Sequence, residues 1–146
     1  MKKIVCVIVS FIASALAFAQ SDITWEVSHD NQKLFSSSIE NEEQNNLAVK
    51  LSNLKSGKNF IIIYQGIKAN DKKNEWKRTI GIYSNADKEL YRKDSDMVKI
   101  PDMLLTKMLM ENKNIKVYTW ALPKDPKEAA RVRVRRVHLC TIMLKQ

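Results

Sequence analysis

The run Ala129–Leu144 (AARVRVRRVHLCTIML) constrains the fold more than any other stretch. It joins the longest strand-like pattern in the chain to its densest positive charge. Arg131, Val132, Arg133, Val134 and Arg135 alternate strictly. A period of two places the arginines on one sheet face and the valines on the other. The parity then breaks. Arg135 and Arg136 are adjacent, and the apolar positions move to Val137 and Leu139 before Ile142 and Leu144 restore the even positions. A regular strand cannot hold Val132, Val134, Val137 and Leu139 on one face. A β-bulge near Arg135–Arg136 would reset the register. The alternative is that the far half is buried on both faces. The first shift is read as the bulge.

The N-terminus sets the compartment. Lys2 and Lys3 precede an uncharged apolar stretch, Ile4–Leu16, and Ala17-Phe18-Ala19 supplies a small-x-small cleavage site. Met1–Ala19 therefore reads as a secretory signal peptide that leaves Gln20 first. The apolar run is short for a membrane span, and no cysteine follows it where a lipid would attach. The expectation is an exported protein, periplasmic or secreted, with no transmembrane segment after signal removal and a single domain over 20–146. That leaves 127 of 146 residues, enough for one core. Cys6 would leave with the signal, so Cys140 stands alone and no intramolecular disulfide can form. Cys140 lies in an apolar run and reads as a small core residue. Of 25 Lys and Arg, two leave with the signal; 23 then face 16 Asp and Glu, a net charge of +7. Such a balance favours anionic partners.

Alternation marks the other strands. Ile23, Trp25 and Val27 share one parity, with Thr24 and Glu26 on the other. A second short strand is expected at Lys33–Ser37, and Ser38–Asn46, with Glu40, Glu42 and Glu43, reads as a solvated loop. Leu47–Leu51 and Asn59–Gln65 flank Ser56-Gly57 and predict a hairpin. Its second arm, Phe60-Ile61-Ile62-Ile63-Tyr64, is apolar on both faces, so it is expected to be a central strand covered on both sides, or one whose outer face meets the helix described below. Lys68–Glu75 is a charged connection. In the next strand Trp76, Arg78, Ile80 and Ile82 share a parity, and Gly81 marks a bulge or a close approach. Lys88–Lys93 reads as the returning strand. Ile100–Asn112 is the one long helix, with Pro101 first, Asp102 complementing the dipole, and Leu104, Leu105, Met108 and Leu109 on the buried stripe. Ile115–Leu122 is a strand, and Asp125–Ala130 a short helical turn capped by Asp125.

If the last two strands pair antiparallel, their core sides must match. Ile115, Val117 and Ala121 then share a face with Val132 and Val134. Tyr118 and Trp120 fall on the face of Arg131, Arg133 and Arg135, with Lys116 beside them. Rings next to guanidinium groups stack with cation–π energy of about 0.5–1 kcal/mol at exposed sites. These six residues form the candidate ligand-binding face. The row also suits a solvated face whose arginines pair with acids on neighbouring strands.

Catalytic patterns are missing. The chain has two histidines and three glycines, and no nucleophile elbow, zinc-protease motif, phosphate loop or calcium loop. His138 and Cys140, two apart, would share a strand face, but no orienting group or further ligand set accompanies them. Asp94 and Asp96 read as solvated loop acids. No enzyme activity, cofactor or metal is expected. The pattern predicts an antiparallel β-sandwich of about six to eight short strands with one amphipathic helix; the alternative is an α+β domain with the helix packed on a sheet. The expected function is an exported non-enzymatic binding module whose basic aromatic face meets an anionic polysaccharide, a lipid headgroup or an acidic protein surface. Export argues against nucleic acid. The alternative is a structural or accessory subunit of a bacterial cell-envelope assembly, acting through the methionine-rich helix or an open sheet edge.

Overall fold

Alternating segments bury one face each, and the chain resolves this need by stacking two sheets. The computed structural model describes residues 23–55, 57–66 and 75–145. The expected signal segment 1–19 lies outside them, as do Ser56 of the expected hairpin turn and all of the charged connection except Glu75. Nine strands occur among the described residues: β1 (Thr24–His29), β2 (Gln32–Ser37), β3 (Asn46–Val49), β4 (Asn59–Gln65), β5 (Trp76–Ser84), β6 (Glu89–Lys93), β7 (Met97–Pro101), β8 (Asn114–Pro123) and β9 (Val137–Leu144). A four-stranded sheet has the order β2-β1-β4-β7, and a five-stranded sheet the order β3-β9-β8-β5-β6. The β-sandwich is thus as the alternation requires, with one strand more than expected and one parallel pair, β3 with β9.

The core lies between the sheets. Trp25, Val27, Phe60, Ile62, Tyr64, Val98 and Ile100 face it from one side, and Ile80, Ile82, Ile115, Val117, Cys140 and Ile142 from the other. The helix α1 (Asp102–Asn112) buries Leu105, Met108 and Leu109 in the same core and touches strands of both sheets, β4, β7, β8 and β9. It does not cover the outer face of β4, the second of the two alternatives read from the sequence. Ile61 and Ile63 lie on that face, opposite Lys99 and Met97 of β7, and are only half-buried. β4 is nonetheless an inner strand.

One expectation of local pairing fails. The Leu47–Leu51 segment forms no hairpin with Asn59–Gln65. β3 lies in the five-stranded sheet beside β9, whereas β4 lies in the other sheet between β1 and β7. A short helical turn, Leu51–Asn53, leads the chain from one sheet toward the other. The hairpin in the four-stranded sheet is β1–β2, turned by Asp30 and Asn31 at φ 48° and 68°. Asp and Asn tolerate the left-handed region that tight two-residue turns demand.

The last strand also departs from its expected form. Residues 131–136 are not in a strand and are all exposed; β9 starts at Val137. The β8–β9 ladder runs from Asn114↔Met143 to Thr119↔Val137 and stops there. The 13 residues between the strands are an excursion that includes the short helix α2 (Pro126–Ala129), capped by Asp125, whose carboxylate accepts from the Lys127 N–H at 2.9 Å. With no strand beside them, Val132 and Val134 gain no apolar partner and remain 36% and 45% exposed.

The bulge exists, but three residues beyond its expected place. Val117 pairs with Cys140 and Tyr118 with His138, so Leu139 is the extra residue. From His138 to Ile142 the strand is buried without interruption, so the other alternative, burial on both faces, also holds. The bulge separates His138 from Cys140. Cys140 joins Leu139 in the core, whereas His138 stays beside Tyr118 on the outer face. The shared face expected of an imidazole–thiol pair is therefore absent. The Leu139 carbonyl accepts the indole N–H of Trp25 at 2.8 Å, a buried bond between the two sheets.

Candidate functional site

The outer face of the five-stranded sheet carries the aromatic set. In β8 the parity that buries Ile115, Val117 and Thr119 turns Lys116, Tyr118 and Trp120 outward. Gly81 of β5 sits opposite Tyr118, and Thr79 opposite Trp120. The missing side chain at Gly81 is filled by neighbours: a Cβ there would meet Tyr83 and Trp120 ring carbons at 2.8–3.0 Å. This is the close approach the sequence allowed. Tyr83 packs edge-on to Tyr118 at 5.8 Å and lies 6.4 Å from Trp120, and Tyr118 packs edge-on to His138 at 5.5 Å.

Arginines do cover these rings, though not the predicted ones. Arg136 lies 4.9 Å over Tyr83 and 5.0 Å over Tyr118; Arg92 of β6 lies 5.4 Å over Trp120. Trp120 is only 6% exposed, so it acts as a floor beneath Arg92 rather than as a free platform. In the sequence Arg136 is only a parity break. Alternation gives it no place over the rings, because residues 131–136 form no strand.

Acids neutralise part of the face. Arg136 pairs with Asp87 at 3.0 Å, and this bond holds the Asp87 carboxyl below its ordinary range and Arg136 above its own. Arg135 pairs with Glu40 at 2.5 Å, and Lys116 with Glu42 at 3.4 Å. Glu40 also accepts the backbone N–H of His138 at 3.2 Å, so one carboxylate fixes both Arg135 and the start of β9. The loop read as solvated thus supplies counter-ions to the site. Burial pushes the Tyr118 phenol up and the His138 imidazole down. His138 bonds Thr141 Oγ1 through Nε2 at 3.0 Å, and its buried Nδ1 has no protein partner among the described residues.

Of the six predicted residues, Lys116, Tyr118 and Trp120 share one sheet face. Arg133 and Arg135 border a shallow depression with Tyr118, Val134, Arg136 and Glu42. Arg131 is exposed and does not border that depression. Neither Arg131 nor Arg133 makes an ion pair with a described residue.

A second polar cluster was missed altogether. Asp102, expected only to complement the helix dipole, is buried. Its Oδ2 lies 2.8 Å from His29 Nε2 and accepts the Lys55 N–H at 2.8 Å, tying β1 to the start of α1. Asp94 pairs with Lys77 at 2.9 Å and accepts from Thr79 at 2.8 Å, which lowers its pKa. The Cys140 thiol is fully buried and pushed up to about 12, so it is a poor nucleophile. Among the described residues no group of three or more His, Cys, Asp or Glu could hold a metal, and no helix is long and apolar enough to cross a membrane. No family model, curated protein or solved structure matches the chain.

Proposed function

We propose that the protein is an exported, non-enzymatic binding module whose arginine-bearing excursion receives an anionic partner. The observation that carries this reading is the exposure of the whole segment 131–136 around two guanidinium groups, Arg131 and Arg133, that no described acid neutralises. Arg136, seated on Tyr83 and Tyr118, anchors the segment to the sheet; Arg135 within the segment and Lys116 on β8 already pair with Glu40 and Glu42. An incoming anion meets Arg131 and Arg133 first and can compete with Glu40 for Arg135. Long-range attraction of this kind is screened, since the Debye length falls from about 10 Å at 0.1 M salt to about 3 Å at 1 M.

The test is retention on an anionic polysaccharide matrix and on anionic lipid vesicles across a salt gradient. Wild type should be retained at low salt and released as salt rises. The triple variant Arg131→Ser, Arg133→Ser, Arg135→Ser should be released far earlier while keeping its fold. Equal retention of both proteins would refute the reading. A second reading, an accessory subunit of an envelope assembly, draws on Met103 and Met110, which are exposed on α1 outside its core-facing stripe. Binding through that face would resist salt.

A further inference from the structure

Arg78 occupies a position that sheet geometry assigns to the core. It shares the parity of Ile80 and Ile82, both fully buried, and lies opposite Ala121 of β8. Its guanidinium reaches the other sheet and lies 4.0 Å over the ring of Tyr64, the shortest cation–ring distance in the described structure. Tyr64 in turn stacks on Trp25 at 6.4 Å with the planes 9° apart. One Nη1 donates to Thr119 Oγ1 at 3.2 Å. A guanidinium has five N–H donors, and no carboxylate among the described residues pairs with this one.

The arginine opens on a cleft at the end of the sandwich where β4 ends and β5 begins. Tyr64, Trp76, Lys124 and Asp96 line it with Arg78. Trp76 is 40% exposed there, on the same parity as Arg78. Lys77 and Asp94 also border the cleft, but they neutralise each other. What remains is a half-buried planar cation with spare donors, an exposed indole, and Lys124 and Asp96, neither of which makes an ion pair with a described residue. A guanidinium fork matches the two oxygens of a carboxylate, and an exposed indole offers a face to a flat apolar body. Lys124 and Asp96 cancel in formal charge, which leaves Arg78 as the net cation to meet one negative charge.

We infer that this cleft is a binding site for a small carboxylate carrying a flat or aromatic body, with the carboxylate on Arg78 and the body against Trp76. It is separate from the Arg131–Arg136 segment and does not depend on it.

The experiment follows the backbone amides and the indole N–H of Trp76, assigned with Trp76→Phe, by two-dimensional NMR. The full chain is titrated with phenylacetate, phenyl phosphate, acetate and benzylamine. Phenylacetate should shift the Trp76 indole and the Arg78 signals with millimolar or tighter affinity. Acetate, lacking the ring, and benzylamine, lacking the anion, should bind about tenfold more weakly or not at all. Arg78→Lys keeps the charge but loses the fork, and should weaken phenylacetate about tenfold. Should that variant fail to fold, the four-probe comparison on the wild type still decides. The inference is overturned by absence of shifts with phenylacetate, by equal response to benzylamine, or by undiminished affinity in folded Arg78→Lys. Tighter binding of phenyl phosphate would overturn the carboxylate assignment.

Discussion

Substituting Gly81 with Ala tests the packing of the aromatic face at one atom. Gly81 has an ordinary strand conformation, so the backbone itself would accept Ala. The added Cβ falls 2.8 Å from Tyr83 Cε2 and 2.9 and 3.0 Å from Trp120 Cη2 and Cζ3. Unstrained carbon contacts lie at about 3.5–4.0 Å, so each overlap is roughly 0.5–1 Å. Overpacking of this size costs about 1–3 kcal/mol. Replacing Gly also restricts the unfolded chain, an offset of about 0.4–1 kcal/mol. Both rings are nearly buried beneath Arg92 and Arg136 and have little room to tilt, so the middle to upper part of that range applies. The net expectation is a loss of about 1–2 kcal/mol. Urea denaturation should show a midpoint lower by about 0.5–1 M with an unchanged slope. In a Trp120→Ala background two of the three overlaps vanish and Tyr83 has room to move, so the same substitution should fall within about 0.5 kcal/mol of neutral. A neutral or stabilising effect in the wild type, or equal costs in the two backgrounds, would refute the account of Gly81 as a site of close approach.

Two further predictions concern the last strand. Trp25→Phe keeps most of the apolar volume but removes the donor to the Leu139 carbonyl, leaving a buried acceptor unpaired; a loss of about 1–3 kcal/mol is expected in chemical denaturation, and a loss below about 0.5 kcal/mol would refute the bond's importance. His138 has a depressed pKa because burial disfavours its charged form. Its contribution to stability is therefore full above the unfolded value of about 6.5 and is lost as pH falls from there toward the folded value, at up to about 1.4 kcal/mol per pH unit. Folded His138→Leu should show a shallower decline between pH 7 and pH 5, and an unchanged slope would count against a neutral buried imidazole.

How far the sequence could be read depended on whether a pattern needed a partner. Ile23–Val27 and Ile115–Leu122 alternate over a core-facing parity, and Trp25, Val27, Ile115 and Val117 are buried as that parity demands. Arg131–Arg135 alternates more cleanly than either and is no strand. Alternation says which side chains would share a face, not that a second backbone lies alongside to accept the hydrogen bonds. The Leu47–Leu51 segment failed for a related reason: its partner is the final strand, and no local pattern can specify a neighbour that distant. The displaced bulge decided the rest of the site. A parity count over Val137–Leu144 could detect that a residue was inserted but not which one, so it placed His138 with Cys140 instead of with Tyr118. Arg136, Glu40 and Glu42 belong to loops, whose geometry leaves no period in the sequence. Asp102 shows the converse case, where a residue type suited to a helix start is also used as a buried hydrogen-bond acceptor.

The parallel pairing of β3 with β9 has a consequence for the order of assembly. β9 is an inner strand of its sheet, held between β3 and β8, yet it is the last of the described strands in chain order. It also carries the Leu139 carbonyl that binds Trp25 of the first strand. A chain emerging N-terminus first can form the β1–β2 hairpin early, but β3 has no strand to lie against until the C-terminal residues arrive. Such long-range closure makes folding slow relative to a chain of local contacts. The five-stranded sheet completes only once Val137–Leu144 are available, so the strands made before them stay unlocked until that stretch arrives.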